Sequence, residues 1–213
     1  MLRGRGAGRV PRRRERDMAK VVADISMSVD GFVTGPDVDL AHGLGRGGEA
    51  LHTWAFQGDR VDAEVLAEAV DNTGVIVMGR RLFDIVDSPY GWNDEVGYGA
   101  DAVGQQPVLV VTRTPPDEVR LADRVTFVVD GVGSAVSKAS ALAEERDVVV
   151  MGGAAVIRGC LDAGLLDELR LHVAPVLLGA GTPLFDGGVV PRELRQVRVR
   201  TSGTATHLTY RVG

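Results

Sequence analysis

The chain has 213 residues, of which 45% are hydrophobic and 25% charged, and its formal net charge at pH 7 is −5. This composition predicts one domain with a sizeable core, and no apolar run approaches the roughly 20 residues that a membrane-spanning helix needs. The single cysteine, Cys160, excludes an internal disulfide, and the four histidines lack the short spacings of a zinc site, so no metal is expected. We expect a soluble, cytoplasmic protein without a secretory leader or a membrane partner.

The charge is distributed unevenly. Residues 1–17 contain seven of the 24 Lys and Arg and two of the 29 Asp and Glu, so they carry +5 and the remainder carries −10. With few apolar residues, this segment is predicted to be a disordered basic tail, or an over-extended start if Met18 is the natural first residue. Residues 18–213 then form the domain, and their acidic balance argues against a nucleic-acid partner.

The first third of the chain predicts one strand, a long loop and a helix. The strand covers residues 20–27 (KVVADISM), and residues 28–32 bend away from it. Residues 34–58 are rich in Gly and Asp and predict a loop with a short helix around 49–56. A helix over 61–71 follows, with Asp59 or Asp62 near its start.

Strands and helices alternate over the next hundred residues. The predicted strands are 75–78, 108–112, 125–129, 148–151 and 169–174, and the predicted helices are 80–86, 132–145 and 154–163. Residues 87–106 and 179–183 are predicted loops, and 194–201 with 206–212 form a hairpin. The order predicts an α/β fold whose sheet is mostly parallel with antiparallel strands at its edge.

Three predicted strands end in glycine or arginine, at residues 78–81 (MGRR), 112–113 (TR) and 151–154 (MGGA). In an open α/β sheet, ligands lie outside the carboxyl ends of parallel strands, so these segments are expected to line one crevice. Glycine permits close approach of backbone, and arginine suits phosphate oxygens. The alternatives are an ordinary strand-to-helix turn and solvated surface arginines.

Residues 43–48 also match the G-x-G-x-x-G pattern, but no buried strand precedes them. The strand–turn–helix context of a dinucleotide site is therefore missing, and we interpret this stretch as a flexible flap over the crevice. No motif of a nucleophilic enzyme or a nucleotide hydrolase occurs.

Five motifs occur in the order found in dihydrofolate-reductase-like proteins. They are residues 26–32 (SMSVDGF), 78–83 (MGRRLF), 111–113 (VTR), 151–154 (MGGA) and 175–185 (PVLLGAGTPLF). The chain most closely resembles the branch that contains the riboflavin-biosynthesis reductase (RibD C-terminal) domain, to which the last motif is most specific. The resemblance covers residues 20–212. It implies a three-layer fold with about eight mostly parallel strands and an antiparallel C-terminal hairpin, an NADPH cofactor and a homodimer.

The resemblance also implies a set of cofactor-binding residues. Gly79, Arg80 and Arg81 would contact the phosphates, and Thr112 and Arg113 the adenosine 2′-phosphate. The pyrophosphate and nicotinamide side would involve the following positions, together with Ala23 on the first strand: Met151, Gly152, Gly153, Ala154, Val156 and Ile157.

The substrate side departs from true dihydrofolate reductases. Leu82 stands where those enzymes have a threonine, and the long insertion before Asp59 and Asp62 leaves folate unsupported as the substrate. The proton source could be Asp30, Asp62 or water, although an Asp-Gly turn is another explanation of Asp30. Trp54 and Phe56 could stack on a flat heterocycle or anchor their loop.

The leading hypothesis is an NADPH-dependent reductase that transfers hydride to a C=N or C=O bond of a small substrate, of pteridine or pyrimidine type. One alternative is a riboflavin-pathway reductase of a ribosylamino-pyrimidine phosphate. The other is an NADP(H)-binding protein without catalysis.

Overall fold

An eight-stranded sheet with helices on both faces forms the body of the protein. The computed structural model describes residues 19–93, 97, 106–188 and 190–213. The tail predicted over residues 1–17 lies outside the described residues. The strands are β1 Val21–Ser28, β2 Phe32–Thr34, β3 Thr73–Gly79, β4 Val108–Val111, β5 Val125–Val128, β6 Asp147–Gly152, β7 Glu168–Ala174, β8 Thr182–Pro183, β9 Leu194–Thr201 and β10 Thr206–Val212. The helices are α1 Thr53–Gln57, α2 Arg60–Asn72, α3 Arg80–Val86, α4 Val132–Leu142 and α5 Ala154–Asp162, with 3₁₀ turns at Gly48–His52 and Ala122–Arg124.

The strand order of the large sheet is β5-β4-β3-β6-β1-β7-β10-β9. Neighbours are parallel from β5 to β7, whereas β10 is antiparallel to both β7 and β9. The predicted α/β fold with an antiparallel C-terminal hairpin is therefore confirmed. Because β3, β6 and β1 lie side by side and run the same way, their carboxyl ends meet at one edge, where ligands bind in open parallel sheets.

Valine-rich strands make the centre of the sheet. Val75, Val77, Val148 and Val150 are fully buried in the larger of two apolar clusters, as expected for strands covered on both faces. Cys160 of α5 lies in the same cluster, and burial raises the pKa of its thiol to about 11. It is therefore a core residue, as its sequence context predicts.

One half of the sheet has a polar face. On β1, Ala23, Ile25 and Met27 belong to or pack against the larger apolar cluster, and Asp24 and Ser26 alternate with them. Alternate residues of a strand point to opposite faces, so these two face the other helix layer. Trp54 of α1 donates an indole N–H to the Ser26 hydroxyl at 2.9 Å.

Two features differ from the sequence-based expectation. The short helix expected around 49–56 is split into a 3₁₀ turn and α1. Thr182–Pro183, predicted as loop, is strand β8 and pairs with β2, which was predicted as a bend. Such a two-residue strand has no periodicity to detect, and its partner lies about 150 residues earlier in the chain.

Candidate active site

The two glycine turns predicted to bind phosphate lie next to each other. β3 pairs with β6 so that Met78 is opposite Gly152. Gly79 is the N-cap of α3 and Gly153 that of α5, and neither helix has a side-chain cap. A Cβ built on Gly79 would lie 3.7 Å from the backbone nitrogen of Gly153. The start of α5 thus leaves its first N–H groups without a capping side chain, an arrangement that favours an anion.

Gly152 and Gly153 differ in what a side chain would meet. Gly152 has a φ of +144°, which L residues rarely adopt, and its Cβ would approach Leu82 to 3.2 Å. Gly153 has a φ of −78°, and a Cβ built there has nothing within 4 Å. The peptide between them is cis. The space beside Gly153 is open, and a side chain at this position would occupy it. It leaves room for the phosphate of a cofactor such as NADPH, so the residues of this turn are compatible with that cofactor.

A cleft of about 900 Å³ is lined by Arg80 and Arg81, which directly follow Gly79. Residues 35–40 form one wall with Gly181 and Thr182, and the opposite wall is made by Arg80, Arg81, Asp84 and Ile85 of α3. Its volume is in the range of small-molecule and cofactor sites. The segment interpreted as a flap thus adjoins a wall of the predicted crevice. It is held by backbone hydrogen bonds from Gly35 to Leu44 and from Arg46 to Pro36.

The three predicted arginines have different surroundings. Arg80 donates from Nε to Asp84 at 2.6 Å and from a terminal nitrogen to the Thr114 carbonyl at 2.6 Å, so it links α3 to the turn after β4. Arg81 and Arg113 are exposed. Their guanidinium groups are therefore the better candidates for direct contact with a phosphate. The Thr112 hydroxyl donates to the Thr114 carbonyl at 3.0 Å, which closes the same turn.

Most of the other residues predicted to bind the cofactor lie in the apolar core beneath the glycine turns. Ala23, Ala154, Val156 and Ile157 are buried in the larger apolar cluster, and Met151 packs against the smaller one. Val156 would lie 3.0 Å from a Cβ on Gly79, so the two turns are packed together closely.

Asp30 holds a loop at the carboxyl end of β1. Its carboxylate accepts hydrogen bonds from the backbone N–H groups of Leu178 at 3.1 Å and Gly179 at 2.7 Å. The hydroxyl of Ser28, followed by these backbone donors, lowers the pKa of Asp30. Asp30 is exposed at the sheet edge that carries the glycine turns, and its role as proton donor stays a prediction.

Asp62 is fully buried at the start of α2. It forms a capping box with Asp59, and its two oxygens also accept from Ser202 and Thr204, each at 2.8 Å, and from His207 at 2.8 Å. Burial by itself would raise the pKa of Asp62, but hydrogen bonds led by that from Ser202 lower it. The structure therefore places Asp62 in a network with the hairpin turn between β9 and β10, away from the cleft-lining residues.

The two predicted stacking residues are separated. Trp54 is 7% exposed and lies 4.3 Å from the His172 ring centroid, so it packs between α1 and the sheet. Phe56 is 74% exposed and approaches the His52 ring at 6.4 Å. Neither is among the residues that line the large cleft.

Comparison with known proteins identifies the family. The family model described as the RibD C-terminal domain matches residues 19–208. The chain belongs to the RibD C-terminal domain family. It is 25% identical over 185 residues to the uncharacterized protein YyaP of Bacillus subtilis, covering 85% of this chain and 88% of the relative.

Solved structures share the fold of this RibD C-terminal domain. A putative riboflavin biosynthesis protein from Shewanella sp. PV-4 has a TM-score of 0.64 at 22% identity, with 91% of this chain and 99% of that one covered. A diaminohydroxyphosphoribosylaminopyrimidine deaminase/5-amino-6-(5-phosphoribosylamino)uracil reductase from Thermotoga maritima has a TM-score of 0.59 at 17% identity. There the match covers 92% of this chain and 57% of the other.

Two histidines of this RibD C-terminal domain interact in a way that sequence reasoning missed. His172 on β7 and His207 on β10 are opposite each other, and their Nδ1 atoms are 2.7 Å apart. Each bonds on its other side to a carboxylate, Asp24 or Asp62. The signal was weak, because polar residues that alternate with apolar ones in a strand usually face solvent.

Metal-binding clusters and membrane-spanning helices are absent from the described part of this RibD C-terminal domain. Within it, no group of three or more His, Cys, Asp or Glu is arranged to hold a metal ion. None of the helices described there combines the length and apolar character needed to span a bilayer.

Proposed function

We propose that this RibD C-terminal domain is an NADPH-dependent reductase that transfers hydride to a small heterocyclic substrate of pyrimidine or pteridine type. The observation that carries the proposal is that the Gly79 and Gly153 turns lie side by side, and that Arg80 and Arg81, which directly follow Gly79, line a cleft of about 900 Å³. When bound, NADPH supplies the hydride. Membership of a family with reductase-like structural relatives supports the same class of chemistry.

The residues of this chain would bind and orient the reactants. Gly153 allows the backbone at the start of α5 to approach a pyrophosphate, and Arg81 and Arg113 can neutralise phosphate charge. Residues 35–40 line one part of the cleft, where they would contact the bound reactants. Orientation in a dry site contributes much of the rate enhancement when the cofactor carries the chemistry.

The proton that accompanies hydride transfer needs a donor in the same site. Asp30 is exposed at the carboxyl end of β1, whereas the Asp62 carboxylate is fully buried in a network with the β9–β10 turn. Both groups have lowered pKa values and are ionised at neutral pH, so either would first have to take up a proton from solvent. Of the two, Asp30 is the better candidate, with water as the remaining source.

The test combines cofactor binding with turnover. We expect saturable NADPH binding, and loss of the nicotinamide absorbance when pyrimidine and pteridine substrates are supplied. Saturable binding without turnover on any substrate would instead identify an NADP(H)-binding protein without catalysis. Absence of NADPH affinity would refute the proposal.

A second candidate narrows the substrate to a ribosylamino-pyrimidine phosphate of riboflavin biosynthesis. The match to the RibD C-terminal domain and to the Thermotoga maritima deaminase/reductase favours it. The match covers 57% of that deaminase/reductase. Complementation of a riboflavin auxotroph lacking only the reductase step would support this candidate, and failure by a well-expressed, NADPH-binding protein would exclude it.

Arg113 is expected to select NADPH over NADH. The change Arg113→Ala should weaken NADPH binding about tenfold and leave NADH binding unchanged, because a charge-assisted hydrogen bond contributes about 1.5 kcal/mol or more and only NADPH has the 2′-phosphate. Titration calorimetry with both cofactors measures the ratio. Arg211→Ala removes an exposed arginine on the hairpin and should leave both affinities unchanged. Equal losses for both cofactors would contradict this role.

We also propose that the protein is a homodimer joined through β9. This strand is at one edge of the sheet, where Val197 and Val199 are 45% and 46% exposed. An exposed edge strand with apolar side chains is suited to pairing. Light scattering should give twice the chain mass, and Val199→Lys should convert the protein to a monomer. Thr126→Lys, on the opposite edge strand β5, is the control, and a monomeric wild-type protein would contradict the proposal.

A further inference from the structure

A chain of four titratable side chains crosses the polar layer between α2 and the sheet. Asp24 Oδ1 is 2.9 Å from Nε2 of His172, the two histidine Nδ1 atoms are 2.7 Å apart, and Nε2 of His207 is 2.8 Å from Asp62 Oδ1. The side chains are 11%, 4%, 5% and 0% exposed in that order. The chain connects β1, β7, β10 and α2, and none of its members lines the large cleft.

Counting protons shows that the four groups in their usual states cannot make these contacts. Three hydrogen bonds need three hydrogens, whereas two neutral imidazoles and two carboxylates carry two. If each Nε2 donates to its carboxylate, both Nδ1 atoms present lone pairs to each other at 2.7 Å, which is repulsive. The same shortage of one hydrogen remains for any other choice of tautomers.

The missing hydrogen belongs to the imidazole pair. Burial by itself would raise the pKa of Asp24 and of Asp62. The charge and hydrogen bond of His172, with the charge of Arg170, lower the pKa of Asp24, and hydrogen bonds led by that from Ser202 lower the pKa of Asp62. Both carboxylates are therefore ionised and flank the histidines with two negative charges. Trp54 stacks 4.3 Å from His172 and lies edge-on 5.1 Å from His207, so its ring is also within range of a positive imidazole.

The other charged groups around the chain limit it to a single extra proton. Burial, and also the charge of His172, lowers the pKa of His207, so two imidazolium ions side by side are disfavoured. The remaining titratable and charged groups that face the chain come from the 3₁₀ turn, α2, β7 and β9: His52, Glu64, Glu68, Arg170, Arg198 and Arg200. Each of the three arginines is paired with a glutamate.

We propose that Asp24, His172, His207 and Asp62 form a buried binding site for one proton, which is held between the two histidines and joins α2 to the sheet. The site is separate from the proposed cofactor cleft, and the inference does not depend on the proposed function. Its ligand is the proton itself, and its occupancy adds one positive charge to a cluster that otherwise carries two negative charges.

The sign of the pH dependence of stability follows from the linkage between proton binding and folding. An unfolded histidine has a pKa of about 6.5. Because a carboxylate lies on each side of the imidazole pair, the proposed shared proton is favoured in the folded protein and should leave it at higher pH than it leaves the unfolded chain. The stabilisation is therefore fully present below about pH 6.5 and is lost as pH rises through the folded pKa of the pair. In that interval the folded protein holds one more proton than the unfolded chain, so the unfolding equilibrium constant should rise about tenfold per pH unit.

The change Asp24→Asn isolates this proton. The amide introduced at position 24 can donate to Nε2 of His172, which supplies the third hydrogen covalently and leaves both imidazoles neutral. We expect urea unfolding of the wild-type protein to show the tenfold dependence per pH unit, and the Asp24→Asn protein to lose it. The exposed His42, which pairs with Asp39 outside the network, provides the control His42→Gln, expected to behave as wild type.

Nitrogen NMR of the wild-type imidazoles gives a measurement that does not depend on a variant folding. Three of the four ring nitrogens of His172 and His207, both Nε2 atoms and one shared Nδ1, should carry hydrogen and should still do so above about pH 6.5. Equal pH slopes for wild-type and Asp24→Asn proteins, or spectra in which only two of the four ring nitrogens carry hydrogen at about pH 6.5, would overturn the proposal.

Discussion

Replacing Gly153 with valine is expected to lower NADPH affinity by at least about 100-fold while the fold stays intact. The added side chain would occupy the space beside the first turn of α5, and the loss of two charge-assisted hydrogen bonds at about 1.5 kcal/mol each accounts for this factor. Inside the protein the side chain meets nothing, because a Cβ at Gly153 has no neighbour within 4 Å. Calorimetric NADPH titration and thermal unfolding measure the two effects separately.

Substitutions at two other glycines show why Gly153 is the suitable position for this test. Gly203→Val adds a side chain to equally open space in the β9–β10 turn and should leave NADPH affinity unchanged. Gly152→Val is unsuitable as a binding test, because a φ of +144° and the 3.2 Å approach to Leu82 would destabilise the fold as well. Wild-type affinity in a folded Gly153→Val protein would place the cofactor elsewhere and refute the proposed site.

Of the substitutions considered, removal of the Asp62 carboxylate is expected to lower the free energy of unfolding most. In Asp62→Ala, Ser202, Thr204 and His207 lose their buried acceptor, and the free energy of unfolding should fall by about 3–5 kcal/mol. The matched change is Asp59→Ala, which removes the other half of the capping box at an exposed position and should cost about 1 kcal/mol. Urea unfolding at pH 7 measures both, and equal losses would contradict the importance of the buried network.

The contribution of Asp62 to the stability of the folded protein also depends on pH. Its folded pKa is lower than the ordinary 3.8, so the stabilisation is present above that pH and is lost as pH falls through the folded value. Acid unfolding of Asp62→Ala should therefore show a weaker pH dependence than that of the wild-type protein.

Local sequence was sufficient to predict the strands and helices that carry the Gly79 and Gly153 turns. The run of valines before Gly152 is typical of a buried strand, and the following glycines and alanines predict the turn and the start of α5. The parallel arrangement of β3 and β6 then follows from the alternation of strands and helices, and it brings Gly79 to Gly153. These features depend on short stretches with strong patterns.

The remaining features depend on contacts between distant residues. Asp30 bonds to Leu178 and Gly179, and His172 meets Asp24, each across about 148 residues. Local patterning reports whether a strand position is polar, but only the order β1-β7-β10 determines that two histidines and two aspartates share one layer. For the same reason Trp54, a candidate for ligand stacking in the sequence, is instead part of that layer.

The pairing of β2 with β8 has a mechanical consequence for the cleft. Gly181 approaches the Thr34 carbonyl so closely that any side chain there would collide with it, and the Thr182 N–H bonds to the Thr34 hydroxyl at 3.2 Å. This pairing therefore holds Gly181 and Thr182 beside the start of residues 35–40, and both segments line the cleft. A change that breaks the β2–β8 pairing would therefore alter the shape of the cleft, and Asp30 holds the adjoining loop at Leu178 and Gly179 to the end of β1.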